Sequence, residues 1–221
     1  MQGTVKVKVW DAPVRIFHWL LVLLLIFQYV TVKASYMTWH MYGGYTILVL
    51  LLFRIIWGFV GSTHARFGDF LYGPGAMFAY IRTLPRREAA KFAGHNPLGG
   101  LSVLLMLLAV LVQAVTGLFA NDDVLTEGPL VQWIAKETSD RITTIHRYNF
   151  YVVLGLAAAH ILAVLYYLFY KSENLVKAMF TGYKTLPAAS AGARTAGTWL
   201  ALVVLAIAVS AVYFIINYKW K

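Results

Sequence analysis

Five stretches of the chain stay apolar long enough to cross about 30 Å of hydrocarbon. They are Ile16–Val32, Met41–Val60, Leu98–Phe119, Tyr148–Tyr170 and Ala196–Asn217. Hydrocarbon offers a backbone N–H or C=O no partner, so each stretch closes its own hydrogen bonds as a helix. The polar positions fall between them. Asn96-Pro97 reads as an N-cap and first turn for the third span. Gly73-Pro74 sits inside a short amphipathic stretch, Phe70–Leu84, whose Met77, Phe78 and Ile81 suit a helix lying in the interface. Thr126–Glu137 reads as a second surface helix, and Leu186–Ala196, rich in Ala, Ser and Gly, as a linker to the fifth span. The pattern predicts an all-α integral membrane protein, with a four-helix transmembrane core over 1–184 and a linker plus fifth transmembrane helix over 185–221.

Composition narrows the chemistry. The chain is 60% hydrophobic and 13% charged, which leaves little for a soluble domain. It has no cysteine, so disulfides, iron–sulfur clusters, thiolate ligands and covalent haem attachment are excluded. The net charge of +10 follows membrane topology and is no nucleic-acid footprint. Lys6, Lys8 and Arg15, then Arg66, Arg82, Arg86, Arg87 and Lys91, then Lys171, Lys177, Lys184 and Arg194 all fall on one side, read as cytoplasmic. The other side has Lys33, then Lys136, Arg141 and Arg147, then Lys219 and Lys221, and its long loop carries Asp122, Asp123, Glu127, Glu137 and Asp140. The N-terminus is thus expected in the cytoplasm and the C-terminus outside it. The first apolar run is too long, and too marked by His18, Trp19 and Gln28, for a cleaved signal peptide, and is read as the first span.

Ionisable groups inside a bilayer are costly and usually functional. His146 and His160 lie fourteen residues apart on the fourth span. At about 100° and 1.5 Å per residue they share one helix face at two depths about 21 Å apart. Depth pairs His40 with His146 near the outer face and His18 with His160 near the inner face. Two imidazoles at each of two levels suit two bis-histidine b-type haems, whose iron takes axial nitrogens from facing helices. Small residues lie near the ligands: Gly44 one turn from His40, and Gly155 with Ala157–Ala159 before His160. Arg54, fourteen residues after His40, is a candidate partner for a haem propionate at the inner level, set against snorkelling to headgroups. Arg15 and Arg147, next to His18 and His146, are further candidates. His64 and His95 belong to a cytoplasmic connection and suit a surface or quinone-site role more than a third haem. Met37 and Met41 beside His40 are weak evidence for copper.

The segments WDAPVRIFHWLLV, WHMYGGY, GHNPLGGLSVL and TTIHRYNF resemble the prokaryotic cytochrome b561 group, which includes the b-type cytochrome subunit of Ni,Fe-hydrogenases. The resemblance covers about residues 9 to 184. It implies a four-helix di-haem bundle ligated by His18, His40, His146 and His160, in a bacterial inner membrane. It also implies electron transfer between quinone and an extracytoplasmic partner, a c-type cytochrome or an oxidoreductase subunit. The fifth span departs from the group; its small residues Ala196, Gly197, Ala201, Ala206 and Ala208 suit packing on a partner helix or a second copy. Two other readings stay open. One is a stand-alone quinone reductase using superoxide or another small redox agent. The other is a transporter or metal-handling protein with intramembrane histidines.

Overall fold

The computed structural model describes residues 4–87, 92–187 and 193–217. Helix α1 (Ala12–Lys33) follows Asp11, whose carboxylate accepts the Val14 N–H at 2.9 Å as a side-chain cap. The other Asp11 oxygen accepts the Trp57 indole N–H at 3.0 Å, and both residues are buried. The helix stops in a left-handed turn at Ser35 (φ 59°). Tyr36 N–H reaches Thr31 O and Ser35 N–H reaches Val32 O, the paired closure of a Schellman motif. Three residues therefore suffice to reverse the chain into α2 (Met37–Val60), and His40 lies in the first turn of that helix.

After α2 come two short helices, α3 (Phe67–Phe70) and α4 (Pro74–Ile81), where the hydrophobic pattern suggested one over Phe70–Leu84. Proline explains the break: the residue before it is pushed out of the helical region, and Pro74 opens the new helix. Helix α5 (Pro97–Gly117) starts where Asn96 accepts the Gly99 N–H at 2.8 Å, as the Asn-Pro pair predicted. Helix α6 (Lys136–Phe169) begins twelve residues before the apolar run at Tyr148. Its 34 residues make a rod about 51 Å long, well beyond the thickness of the hydrocarbon. Helix α7 (Leu175–Thr181) is capped by Asn174 and ends on Gly182 in the left-handed region (φ 85°). Helix α8 (Thr198–Asn217) closes the chain. Among the described residues five helices, α1, α2, α5, α6 and α8, are long and apolar enough to cross a membrane.

Two expectations fail between the helices. Thr126–Glu137 forms no surface α-helix. An Asn121–Glu127 bridge and a single 3₁₀ turn at Val131–Trp133 occupy it, because Asp122 ties the loop back on itself. The linker expected from Leu186 is in its first two residues a strand: β2 (Tyr183–Pro187) pairs antiparallel with β1 (Thr4–Lys8), Val5 opposite Leu186 and Val7 opposite Lys184. The central part of that linker lies outside the described residues.

Chain contacts divide the molecule into two compact units. The first comprises residues 1–16, 55–105 and 156–201 and contains the small sheet, α3, α4 and α7. Tyr166 and Tyr170 of α6 donate to Leu84 O and Pro85 O there, and Lys184 pairs with Glu173 at 2.8 Å, 10% and 22% exposed. The second comprises residues 17–54, 106–155 and 202–221. Its core joins Leu48 of α2, Leu118, Leu130 and Val212 of α8. In α8, Val204, Ala208 and Val212 are buried against the chain itself, while Leu202, Ile207, Val209 and Phe214 face outward. Part of the small-sided face expected to meet a partner helix is thus already covered.

Candidate functional site

In the second unit α2 and α6 bring His40 and His146 together. Their ring centres lie 6.3 Å apart with planes at 86°. His40 Nδ1 is 3.3 Å from Gln28 O, a carbonyl that only accepts, so Nδ1 carries the proton. His146 Nδ1 is 3.1 Å from Thr116 Oγ1. The single hydroxyl proton of Thr116 is directed to the backbone, at Val112 O (2.6 Å) or Gln113 O (3.1 Å). Its oxygen is left to accept from Nδ1–H. Each ring therefore keeps Nε2 as its basic nitrogen, the arrangement of metal-bound histidines whose second nitrogen donates to an orienting acceptor. Two metal–imidazole bonds of about 2.0 Å, with each nitrogen about 1.1 Å from its ring centre, need centres about 6.2 Å apart. The 6.3 Å separation of the ring centres is of the length that two imidazoles sharing one metal ion would need.

The surroundings hold His146 in place. A Cβ on Gly117 would meet His146 Cε1 at 3.1 Å, so glycine leaves the ring its room. Gln113 donates to His146 O at 3.0 Å, and Asn149 donates to Gln113 Oε1 at 2.7 Å and to Ala109 O at 2.8 Å. This polar ladder fixes α5 to α6 at the ligand and one turn beyond it. Sequence reasoning passed over Thr116 and Asn149. Their signal was present: polar residues at three-residue spacing on an otherwise apolar helix. On the other side, Gly43 makes a closer approach than Gly44. A Cβ on Gly43 would come within 2.4 Å of Gln28 Oε1, and one on Gly44 within 3.4 Å of Gln28 Nε2. Gly155 lies nine residues past His146, about 180° round the helix. It is exposed, and an added Cβ there meets nothing within 4 Å, so it does not share the His146 face.

His18, in α1 of the second unit, is half-buried and meets Trp19 edge-on at 4.9 Å. His160 is half-buried in the part of α6 that belongs to the first unit. Helix α6 runs unbroken from His146 to His160, so the fourteen-residue offset holds as helix geometry. Arg54 is only 3% exposed. Arg15 lies against Gly182, with Nη1 2.7 Å from where a Cβ would stand, and Arg147 is exposed. His64 and His95 both line a cleft of about 170 Å³ in the first unit, with Asp69, Tyr72 and Phe92. Burial pushes the His64 imidazole down, against the pull of Asp69. His95 is held between Trp10 and Phe70, at 4.7 and 4.8 Å. Among the described residues no three His, Cys, Asp or Glu side chains converge as a metal site. A haem asks only two ligands of the protein.

The family model of the prokaryotic cytochrome b561 matches residues 9–182. The chain belongs to that family. It is a membrane b-type cytochrome, and haem b is its implied cofactor. It is similar to a probable Ni/Fe-hydrogenase B-type cytochrome subunit of Rhizobium leguminosarum bv. viciae, 26% identical, over 80% of this chain and 88% of the relative. The corresponding protein of Rhodobacter capsulatus is 24% identical, over 81% and 82%. The probable Ni/Fe-hydrogenase 1 B-type cytochrome subunit of Escherichia coli K12 is 24% identical, over 80% and 90%. No solved structure gives a significant match.

Proposed function

We propose that this cytochrome carries electrons across the inner membrane between quinone and an extracytoplasmic redox partner, through two b haems. The observation that carries the reading is the His40/His146 pair, with ring centres 6.3 Å apart and each Nδ1 already engaged. His40 and His146 hold the outer haem, and His18 with His160 the inner one. Haem iron supplies one-electron chemistry at both levels. The residues of the chain do the rest. Gln28 and Thr116 orient the outer imidazoles, Gly117 leaves the His146 ring its space, and Arg54 supplies a buried cation for a propionate. The relatives are named as hydrogenase cytochrome subunits, which supports an oxidoreductase subunit as partner here, with a c-type cytochrome as the alternative. The N-terminus lies in the cytoplasm and the C-terminus outside, as the Lys and Arg distribution supports.

The test uses the purified protein in proteoliposomes. A short-chain ubiquinol added anaerobically should reduce both haems, and an oxidant trapped on the other side should reoxidise them. Haems that dithionite reduces but quinol does not would end the quinone assignment.

A further inference from the structure

The loop between α5 and α6 is a built object. Asp122 accepts three backbone N–H groups, from Val124 (3.0 Å), Leu125 (2.9 Å) and Thr126 (2.8 Å), and returns its own N–H to Thr126 O. These bonds hold its carboxyl well below the usual carboxylate range. Asp123 takes the left-handed conformation (φ 60°) that closes the turn. The base is bolted down: Asn121 bonds Ser139 and Asp140 of α6, Ser139 donates to Phe119 O, and Lys136 bridges Asp123 and Asp140. Gly128 packs so closely on Leu118 that a Cβ would stand 2.4 Å from its carbonyl oxygen. At the tip, Val124 is 80% exposed and Leu125 92%.

A turn held this firmly does not hide its two aliphatic side chains. Lipid is one possible cover, but the placement argues against it. Ser139 precedes the apolar run at Tyr148 by nine residues, about 13 Å of helix. Asn121 is tied to that raised part of α6. The flanking side chains are Asp122, Asp123, Thr126 and Glu127, with Lys136 paired to Asp123, so the border carries more acid than base, whereas Trp, Tyr, Lys and Arg are the usual interfacial anchors. An apolar tip inside an acidic rim is instead the layout of a protein contact, with a dry centre and a charged border that sets approach and orientation. The loop leaves α5 two residues after Thr116, the partner of His146.

We propose that the Val124–Leu125 tip is the docking point for the extracytoplasmic redox partner, a protein with an apolar patch ringed by lysines. This rests on the reading that His40 and His146 hold a haem at this end. Burying two aliphatic side chains in a small interface is worth enough that losing both should weaken docking about tenfold.

The test uses the full chain in nanodiscs, with a small lysine-ringed c-type cytochrome as protein oxidant and hexaammineruthenium(III) as a small cationic one. Reduced wild type and the Val124→Ser/Leu125→Ser variant are mixed with each by stopped flow. The expected result is a second-order rate with the cytochrome that falls about tenfold relative to the ruthenium rate. Asp123→Lys is expected to slow both and to flatten the salt dependence. Because the chain has no cysteine, Leu125→Cys takes a single spin label. The label should collide with a water-soluble relaxant and slow its motion when the cytochrome is added. A rate ratio unchanged in the double variant overturns the proposal, as does a label that meets oxygen and not the aqueous relaxant, which would assign the tip to lipid. Haem content is measured on the same samples, and its loss in wild type would count against the haem reading instead.

Discussion

Replacing Thr116 by valine keeps the shape of the side chain and removes the acceptor that orients His146. In the structure that acceptor lies 3.1 Å from Nδ1, and its own proton is engaged by a backbone carbonyl. An N–H···O bond at Nδ1 makes the imidazole a better donor to ferric iron, so its loss favours the ferrous state and raises the potential. A hydrogen bond of this kind is worth about 0.5–1.5 kcal/mol. Expressed wholly as a difference between the two oxidation states, that caps the upward shift at about 20–65 mV, at 59 mV per tenfold for one electron. Loss of the orienting partner also weakens the ligand set by about ten- to a hundredfold. The assay is an anaerobic potentiometric titration of the two haems, with the outer one identified as that missing from His40→Ala. A potential raised in that haem alone is the expected result. A titration curve identical to wild type, at full haem content, would refute the assignment of Thr116 as the orienting group.

Other perturbations report on different parts of the account. His160→Ala should remove the inner haem and spare the outer, read from the split of the reduced visible spectrum; loss of the outer haem alone would reverse the pairing. Gly117→Val should cost the outer haem, since even a Cβ would stand 3.1 Å from the His146 ring; full haem content would mean that the ring moves freely. Asp11→Ala removes a helix cap and orphans the Trp57 indole, so thermal unfolding in detergent should show a loss of about 2–3 kcal/mol. Asp122 has its folded carboxyl lowered, so its contribution to the loop is complete above the unfolded value near 4 and fades only as pH falls below that. Partner docking should therefore hold from pH 8 to 5 as far as this residue is concerned, and a midpoint near pH 6 would implicate another group.

Much of this was legible in the residues because hydrocarbon is an unforgiving solvent. Apolar length alone located five helices, and the Asn96-Pro97 pair fixed the start of α5. The beginning of α6 was not legible, because its first twelve residues are polar and their helicity depends on Asn121, Ser139 and Thr143 clamping them to the preceding loop. The strand pair was missed for a similar reason. Thr4–Lys8 alternates apolar and polar residues, yet its partner lies some 180 positions away, and only contact with it turns a charged tail into a strand. The meeting of His40 with His146 rested on depth, which follows from helix rise. The groups that orient the rings did not follow from depth, because Gln28 acts through its backbone carbonyl and Thr116 through an oxygen freed by a bond within its own helix.

The count of haems per chain tests the central claim most directly. Pyridine haemochrome quantitation against protein mass, on the full chain purified in mild detergent, should give two b haems in wild type and one in either His40→Ala or His160→Ala. A wild-type value of one, or variants that each lose both or neither, would contradict a cytochrome built on two separate bis-histidine levels.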